Sequence, residues 1–357
     1  MRQMAELDIP EIQRFESVLR NAGNAAIVTH MKPDGDAVGS TVAMFHFLKM
    51  VNPSCKASIV YSDPWPGHLD FIMDEQAAGN VTLHSNEPDK AESVMAESSL
   101  IICLDFNAFH RTDKLEKALS ESKAAKILID HHLNPDRKSF DIIFSETEIS
   151  SASELLYSIL LKTQAIADDV RKLPAECATA LMTGMTTDTN NFANSTYPST
   201  LAMAGNLLSA GVDRDRIISS LYNQYREERL RLMGLAMKDL MKITDDGVAY
   251  IVLDAETLKS YAIEEGETEG FVNMPLSIAS VRMSLLLKEE KGKVRVSIRS
   301  KKGTSANRCA GLYFNGGGHE NAAGGRLYIP DDIKSIGEAP AYIEKHTHIF
   351  LEQENEK

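Results

Sequence analysis

The N-terminal half of the chain alternates short apolar runs with segments of helical period. Three runs, Ala25–Thr29, Leu100–Phe106 and Ala125–Asp130, are apolar almost throughout, as strands are when helices cover both faces of a parallel sheet. The segments of helical period lie between and after these runs, at residues 38–50, 151–163 and 174–187. The pattern predicts an α/β fold with a mainly parallel sheet flanked by helices.

The C-terminal half has a different pattern. A predicted helix over residues 198–210 precedes a charged segment of helical period, 213–243, which contains no proline. As a single helix this segment would span about 45 Å, and Gly234 is the point where a break is expected. The later elements are predicted as two strands, a helix and a short strand, at 248–254, 293–299, 305–314 and 326–329.

These elements divide the chain into three predicted parts. Residues 1–197 form the first α/β domain, residues 198–244 a helical connector, and residues 245–350 a smaller α/β domain. A chain of 357 residues is long enough for two domains that each bury a core. A homodimer stays open as a partner prediction, because four methionines could line a dimer surface, although core packing is the stronger alternative. They are Met203, Met233, Met237 and Met241.

Charge and composition narrow the function classes. The net charge of −13 argues against a protein that coats long nucleic acid through a basic surface, but not against an enzyme that admits a short anionic substrate. No apolar run reaches the roughly 18–20 residues that cross a bilayer, and Met1–Pro10 lacks the pattern of a signal peptide. The four cysteines include no CxxC pair, which disfavours a disulfide framework or a zinc knuckle. We therefore expect a cytoplasmic protein without membrane association.

Aspartate and histidine concentrate in four segments of the N-terminal half. Three of these segments end apolar runs, and the ends of parallel strands lie along one edge of a sheet, where open α/β folds bind ligands. Taken singly, an Asp-Gly-Asp turn or one aspartate is ordinary surface, but the four segments together predict a metal site. The residues are His30, Asp34, Asp36, Asp105, Asp130, His131, His132 and Asp188.

The chemistry of these side chains limits the metal. Carboxylate and imidazole ligands suit manganese, iron or magnesium, and the absence of cysteine from the candidate ligands disfavours structural zinc. Asp34 and Asp36 are separated by Gly35, which relieves the backbone in a sharp bend and lets the two carboxylates turn toward different ions.

The same segments resemble the four motifs of the DHH phosphoesterase superfamily. These are His-x-x-Pro-Asp-Gly-Asp-x-x-Gly-Ser from His30, the strand-end Asp105, the triplet from Asp130 to His132, and Asp188 after a helix. The resemblance covers roughly residues 25–195 and is most specific in the first and third motifs. It implies hydrolysis of phosphoester bonds with two divalent metal ions, and Mn²⁺ is the expected ion.

The resemblance also implies a role for each residue. One ion would be held by His30, Asp34 and Asp105, and the other by Asp36, Asp105, His131 and Asp188. His132 would face the substrate phosphate, and Asp130 would orient a histidine. A water shared by the two ions would lose a proton and attack phosphorus in line.

A glycine-rich segment near the C-terminus is the second candidate site. Three successive glycines would expose backbone N–H groups as a phosphate cradle, although a flexible loop is the plain alternative. The candidate substrate-binding residues are Arg299, Ser300, Gly316, Gly317, Gly318 and His319. With the strand before it, the segment resembles the DHH-associated substrate-binding domain over roughly residues 245–330. Asn315 departs from the pattern, because relatives often continue the glycine run there.

The organisation points to a short substrate. The chain resembles the stand-alone nano-RNase and pAp phosphatase type, which implies a short RNA or DNA oligonucleotide or a small nucleotide. A cyclic- or linear-dinucleotide phosphodiesterase and an exopolyphosphatase-like enzyme stay open, as does a nucleotide-binding regulator without turnover. Phe271, Tyr313 and Phe314 are aromatic residues that could stack on a base, although core packing is the stronger alternative for each.

Overall fold

The structure is a computed structural model that describes residues 7–355. The first six residues, part of the segment considered above for a signal peptide, and the last two lie outside the described residues. The chain divides into two compact units, Met1–Gln224 and Tyr225–Lys357.

The first unit contains six strands and nine helices among its described residues. The strands are β1 Asn24–Val28, β2 Lys56–Tyr61, β3 Val81–Leu83, β4 Leu100–Leu104, β5 Ala125–Asp130 and β6 Ile142–Ser145. The helices are α1 Ile9–Asn21, α2 Gly35–Val51, α3 Glu75–Ala78, α4 Pro88–Glu97, α5 Glu116–Glu121, α6 Ala152–Leu161, α7 Ala175–Asp188, α8 Pro198–Ser209 and α9 Arg214–Tyr222.

The six strands form one parallel sheet in the order β3-β2-β1-β4-β5-β6, which confirms the predicted fold class. Alternate residues of a strand point to opposite faces: Ala25 and Ile27 of β1 pack into one core, and Ala26 and Val28 into another. Both faces are therefore covered, and this explains why the strand sequences are apolar throughout.

Helix α2 lies inside the first unit and is buried on every side from Gly35 to Leu48. It packs closely against α7, and glycines make the close approach feasible. A Cβ atom on Gly39 would lie 2.6 Å from the carbonyl oxygen of Ala180, and one on Gly184 would lie 2.8 Å from Oδ1 of Asp36. Because neither contact is sterically allowed, the separation of α2 and α7 depends on both glycines.

The second unit has six strands and four helices among its described residues. The strands are β7 Lys242–Ile243, β8 Val248–Leu253, β9 Met283–Glu290, β10 Lys293–Ser300, β11 Gly317–His319 and β12 Ala322–Tyr328. The helices are α10 Glu227–Leu235, α11 Ala255–Ser260, α12 Ala306–Tyr313 and α13 Ala339–Asn355. The mixed sheet has the order β11-β12-β10-β9-β8-β7, with β8 and β9 parallel and the other pairs antiparallel.

Both faces of this second sheet are also covered. Side chains of α12 and α13 pack on one face, and those of α10 and the 3₁₀ turn Phe271–Ser277 on the other. Phe271 and Phe314 are fully buried in these two cores, so core packing and not base stacking accounts for both.

The segment predicted as one long helix is broken. The break falls at residues 223–226, between α9 and α10, and Gly234 lies inside α10; the expected break at Gly234 was therefore wrong. The four methionines considered for a dimer surface pack against cores, Met203 in the first unit and the other three in the second. Core packing thus accounts for all four.

Two further features considered from the sequence are the cysteines and the possible membrane-spanning segments. All four cysteines are buried and unpaired. None of the helices within residues 7–355 combines the length and the apolar character needed to cross a membrane.

Candidate metal centre

The candidate site lies at the carboxyl edge of the parallel sheet, where β1 and β4 are neighbours. The connections from these two strands run outward in opposite directions, which opens a crevice at the strand ends. His30 follows β1, Asp105 follows β4, and Asp130 ends β5 and precedes His131 and His132. The sheet order therefore brings together three segments that are far apart in sequence.

Asp105 is the centre of the cluster. Its Oδ2 lies 3.5 Å from Nε2 of His30, and its Oδ1 lies 3.4 Å from Nε2 of His131. The residue has a left-handed φ of 63°, which aspartate tolerates better than most residues, and its N–H donates to the carbonyl of Ile129 on β5. Bending the backbone immediately after β4 places the carboxylate between the two histidines.

Three further aspartates flank this core. His30 Nε2 lies 3.9 Å from Oδ2 of Asp34, and His131 Nε2 lies 3.5 Å from Oδ2 of Asp188 and 4.0 Å from Oδ2 of Asp36. Ligand atoms fall into three groups, each within 4.8 Å. The groups are Asp105 with His131 and His132, His30 with Asp34 and Asp105, and Asp36 with His131 and Asp188.

Asp36 is anchored by a helix that sequence reasoning did not connect to it. Its Oδ2 accepts a hydrogen bond of 2.7 Å from the N–H of Ala152, and its Oδ1 one of 2.9 Å from the N–H of Ser153. Both donors are amides in the first turn of α6, which have no acceptor within the helix. The positive end of the helix dipole also favours a carboxylate there. Asp34 in turn caps α2 by accepting from the N–H groups of Asp36 and Ala37.

Asp130 and His132 form a close pair at the end of β5. Oδ1 of Asp130 lies 2.7 Å from Nδ1 of His132, and its Oδ2 accepts from the backbone N–H of His132. The two contacts fix the imidazole in one orientation, with its Nδ1 proton directed at the carboxylate. Nε2 is then the ring nitrogen not engaged by Asp130.

The charges of the cluster are strongly interdependent. Burial by itself would lower the pKa of His30 and His131, but the neighbouring Asp105 carboxylate and the other aspartates raise it to about 9 and about 10. Burial, followed by the charge of Asp105, raises the pKa of Asp36 to about 7, and burial with Asp36 raises the pKa of Asp188. The histidines hold the pKa of Asp105 well below its usual range, although burial opposes this. The two histidines thus do not neutralise the negative charge of the neighbouring aspartates.

These residues fit a divalent metal. Asp105 is 2% exposed, and its Oδ1 accepts no well-formed hydrogen bond from the described residues. A buried carboxylate oxygen without a donor is costly unless a cation satisfies it. The oxygen and imidazole donor set is one that Mn²⁺, Fe²⁺ or Mg²⁺ accepts. The metal-binding roles of the individual residues stay predictions.

The glycine-rich segment of the second unit is a β-hairpin and not a loop. Gly317–His319 pairs with Ala322–Tyr328, so β12 begins four residues before the predicted strand. A Cβ on Gly316 would overlap the backbone of Gly324, and one on Gly325 would overlap the backbone of Phe314. The run of glycines therefore has a packing reason that the sequence alone did not reveal.

The predicted cradle of three amides is wrong in part. The N–H of Gly316 donates to the carbonyl of Ala310, and that of Gly318 donates to Oδ1 of Asn307. These two amides are already satisfied within the protein. Gly317 has only Asn307 Oδ1 near its Cβ position, at 3.4 Å, and its surface is open. Asn315 adopts a left-handed φ of 47°, which explains how asparagine can stand where a glycine is usual.

The other predicted substrate-binding residues differ in accessibility. Ser300 is buried, donates from its hydroxyl to the carbonyl of Thr304, and accepts from the side chain of Asn321. Arg299 is half-buried and donates to the carbonyl of Ile298. His319 is exposed at the end of β11. The geometry gives Ser300 a place in a turn that supports the hairpin, while Arg299 and His319 retain surface that a ligand can reach.

Two family matches together span most of the chain. Residues 24–185 match the family described as DHH family, N-terminal domain, and residues 245–340 match the DHHA1 domain. The first match contains all the predicted metal-site residues except Asp188, and the second contains all six predicted substrate-binding residues.

Several known proteins are similar to this chain over most of its length. The bifunctional oligoribonuclease and PAP phosphatase NrnA of Bacillus subtilis (strain 168) is 29% identical over 311 residues, which cover 86% of this chain and 90% of that protein. The crystal structure of an exopolyphosphatase-related protein from Bacteroides fragilis matches with a TM-score of 0.89 and 33% identity over 99% of both chains. RecJ from Thermus thermophilus, solved in complex with Mn²⁺, matches in fold alone, with a TM-score of 0.57, 14% identity, and coverage of 98% of this chain and 56% of RecJ.

Proposed function

The chain belongs to the DHH family of phosphoesterases and carries a DHHA1 domain, and from that premise we propose that it hydrolyses short oligoribonucleotides and pAp with the help of divalent metal ions. The observation that carries the proposal is the buried Asp105 carboxylate, placed between His30 and His131 with one oxygen unsatisfied. The substrate class rests on the similarity to the Bacillus subtilis enzyme over most of both chains.

We assign the ligand atoms to two ions. His30, Asp34 and Asp105 would hold one, and Asp36, His131 and Asp188 the other, with Asp105 shared; the grouping of these atoms within 4.8 Å supports the assignment. When bound, such ions lower the pKa of a water and place positive charge beside the phosphate oxygens. Mn²⁺ is our expected ion, in keeping with the donor set and with the ion bound to RecJ.

The remaining residues of the site act on geometry and charge. Asp130 holds the Nδ1 proton of His132, so that Nε2 is the atom we assign to a non-bridging oxygen of the phosphate. The amides of Ala152 and Ser153 keep the Asp36 carboxylate in one orientation. In the second domain, Arg299, His319 and the open face of Gly317 are the groups we assign to nucleotide binding, with Ser300 supporting the turn.

A second function has a specific observation in its favour. The structure with 33% identity over 99% of this chain is named for its relation to exopolyphosphatases, and a polyphosphate presents the same phosphoryl groups without a base. Cyclic dinucleotides and a regulator without turnover stay open from the sequence. The substrate panel must therefore separate nucleotides from inorganic phosphate chains.

The test incubates the purified protein with Mn²⁺ and, separately, pApA, RNA of two to five nucleotides, pAp, cyclic-di-AMP, pyrophosphate and polyphosphate. We expect release of mononucleotides from the short RNAs and of AMP from pAp. Asp105→Asn, which keeps the shape but removes the charge, should reduce these rates about 10³-fold or more, with the thermal unfolding midpoint checked by calorimetry.

Each other outcome changes the proposal in a defined way. Turnover of polyphosphate alone would replace the nucleotide assignment with the second function. Bound metal without turnover of any substrate would favour the regulator. Unchanged rates in Asp105→Asn would contradict the metal assignment itself.

A further inference from the structure

Arg111 stands out among the arginines of residues 7–355. It alone is half-buried and yet has no hydrogen bond, ion pair or ring contact from its side chain. The other described arginines without such a contact, Arg137, Arg216, Arg295 and Arg326, are all exposed. A half-buried guanidinium without a protein partner has N–H donors that only water or a bound anion can satisfy. In a chain of net charge −13, the absence of a carboxylate partner points to an anion that comes from outside.

The backbone of Arg111 is fixed beside the metal cluster. Its carbonyl accepts a hydrogen bond of 2.8 Å from the N–H of Met31, the residue after His30, and its own N–H donates to the carbonyl of Ala108. The next residue, Thr112, is buried, and its carbonyl accepts from the hydroxyl of Ser62. The turn after β4 is thus tied to the ends of β1 and β2, and the arginine starts from a preorganised position.

A second cation reaches the same loop. Nζ of Lys114 lies 3.7 Å from Oδ1 of Asp63, and Oδ2 of Asp63 accepts a hydrogen bond from the N–H of Lys32. Lys32 lies between His30 and Asp34 and has a left-handed φ of 51°, a strained conformation that this contact helps to hold. Asp63 therefore places the Lys114 ammonium against the loop that carries two of the predicted metal ligands.

We propose that Arg111, assisted by Lys114, binds a phosphate group of the nucleotide other than the one that is hydrolysed. The proposal rests on the proposed function. The hydrolysed phosphate belongs at the Asp and His cluster, and Arg111 makes no ion pair with any carboxylate of that cluster. A guanidinium can hold phosphate oxygens with two parallel hydrogen bonds. The site thus selects substrates that carry an additional terminal phosphate.

The experiment compares pApA with ApA, which lacks the terminal phosphate. The wild-type protein should hydrolyse pApA with the higher kcat/KM. Arg111→Gln should lower kcat/KM for pApA by about 10–100-fold, as expected for a lost hydrogen-bonded charge, and change the value for ApA less than twofold. Arg216→Gln, at an exposed arginine of α9 without a side-chain partner, is the matched control and should change neither value.

The outcomes are separable from those of the proposed function. Equal losses on both dinucleotides, or no loss on pApA, would overturn the second phosphate site. If the wild-type protein hydrolyses neither dinucleotide, the proposed function fails, and equilibrium binding of pApA and ApA in EDTA decides the phosphate site alone. There, a preference for pApA that disappears in Arg111→Gln supports the site, and equal binding of the two dinucleotides by the wild-type protein overturns it.

Discussion

The metal cluster of the first unit and the glycine segment of the second were both predicted from short motifs, but different physical constraints shape them. In the cluster, charged side chains converge because parallel strands end along one edge, and Asp105 is left with an unsatisfied buried oxygen. In the glycine segment, Gly316 and Gly325 allow backbones to touch, and the amides of Gly316 and Gly318 are satisfied internally.

The difference teaches how far a motif can be interpreted. Side chains that together bind an ion or a substrate must leave donors or acceptors unsatisfied until that ion or substrate binds. A set of glycines can instead be required by the packing of the chain itself, with no ligand involved. The two regions should therefore respond differently to substitution: the cluster in activity, and most of the glycine segment in stability.

The largest effect that sharpens this contrast is expected at Asp130. Asp130→Asn removes the charge that holds the Nδ1 proton of His132, and loss of such a supporting contact typically costs about 10–100-fold. Steady-state kinetics on pApA should show this loss in kcat with little change in KM. Asp141→Asn, which changes a carboxylate at the opposite edge of the sheet that accepts from the N–H of Lys126, is the control. A wild-type kcat in Asp130→Asn would contradict the assigned role of His132.

A pair of alanine substitutions tests the glycine segment. Gly325→Ala should destabilise the protein by about 1–3 kcal/mol, because the added methyl group would overlap the backbone of Phe314. Gly317→Ala would meet only Oδ1 of Asn307, at 3.4 Å, and should stay within about 0.5 kcal/mol of the wild type. Urea denaturation measures both. Weaker pAp binding by Gly317→Ala at unchanged stability would show that the open face contacts the ligand, whereas equal destabilisation by both changes would refute the packing account.

The last prediction concerns the dependence of stability on pH. In the metal-free protein the pKa values of His30 and His131 are raised from 6.5 to about 9 and about 10. Their stabilising contribution is therefore complete below pH 6.5 and is lost as pH rises toward these values, by at most about 1.4 kcal/mol per pH unit for each histidine. Asp36, raised to about 7 by burial, acts in the same direction.

Metal binding should reverse that trend, because Mn²⁺ requires unprotonated imidazoles. Thermal unfolding at pH 6.5, 7.5 and 8.5, in EDTA and in Mn²⁺, should show a stabilisation by Mn²⁺ that grows with pH. A stabilisation that is constant or shrinks across this range would show that the metal does not displace protons from the histidines.

The sequence predicted the parts of the fold that local patterns determine. The strands β1, β4 and β5 and the helices α6, α7 and α8 were located to within a few residues, because continuous apolar runs and helical periods need no knowledge of their neighbours. The convergence of His30, Asp105 and the Asp130 triplet followed from the edge of a parallel sheet. The α/β class was predicted from these patterns and family membership from the resemblance of the four motifs, and both were confirmed.

The remaining features depend on contacts between distant residues. The amides of Ala152 and Ser153 that anchor Asp36 are more than a hundred residues away from it, and no spacing rule connects them. β9 was not predicted because its run, Met283–Glu290, ends in charged residues beside a glycine turn. Arg111 was missed because a single arginine in a polar turn carries no pattern, and only its lack of a partner in the folded protein distinguishes it.

The glycine contact between α2 and α7 has a consequence for ion selection. Asp36 lies in the first turn of α2 and Asp188 is the last residue of α7, so the spacing of the two helices at Gly39 and Gly184 sets the width of the cavity between their carboxylates. An added methyl group at Gly39 would push the two helices apart without touching a predicted ligand, whereas one at Gly184 would also press on the Asp36 carboxylate. The helix spacing at Gly39 would then influence the preferred ionic radius, although Gly39 carries no ligand atom.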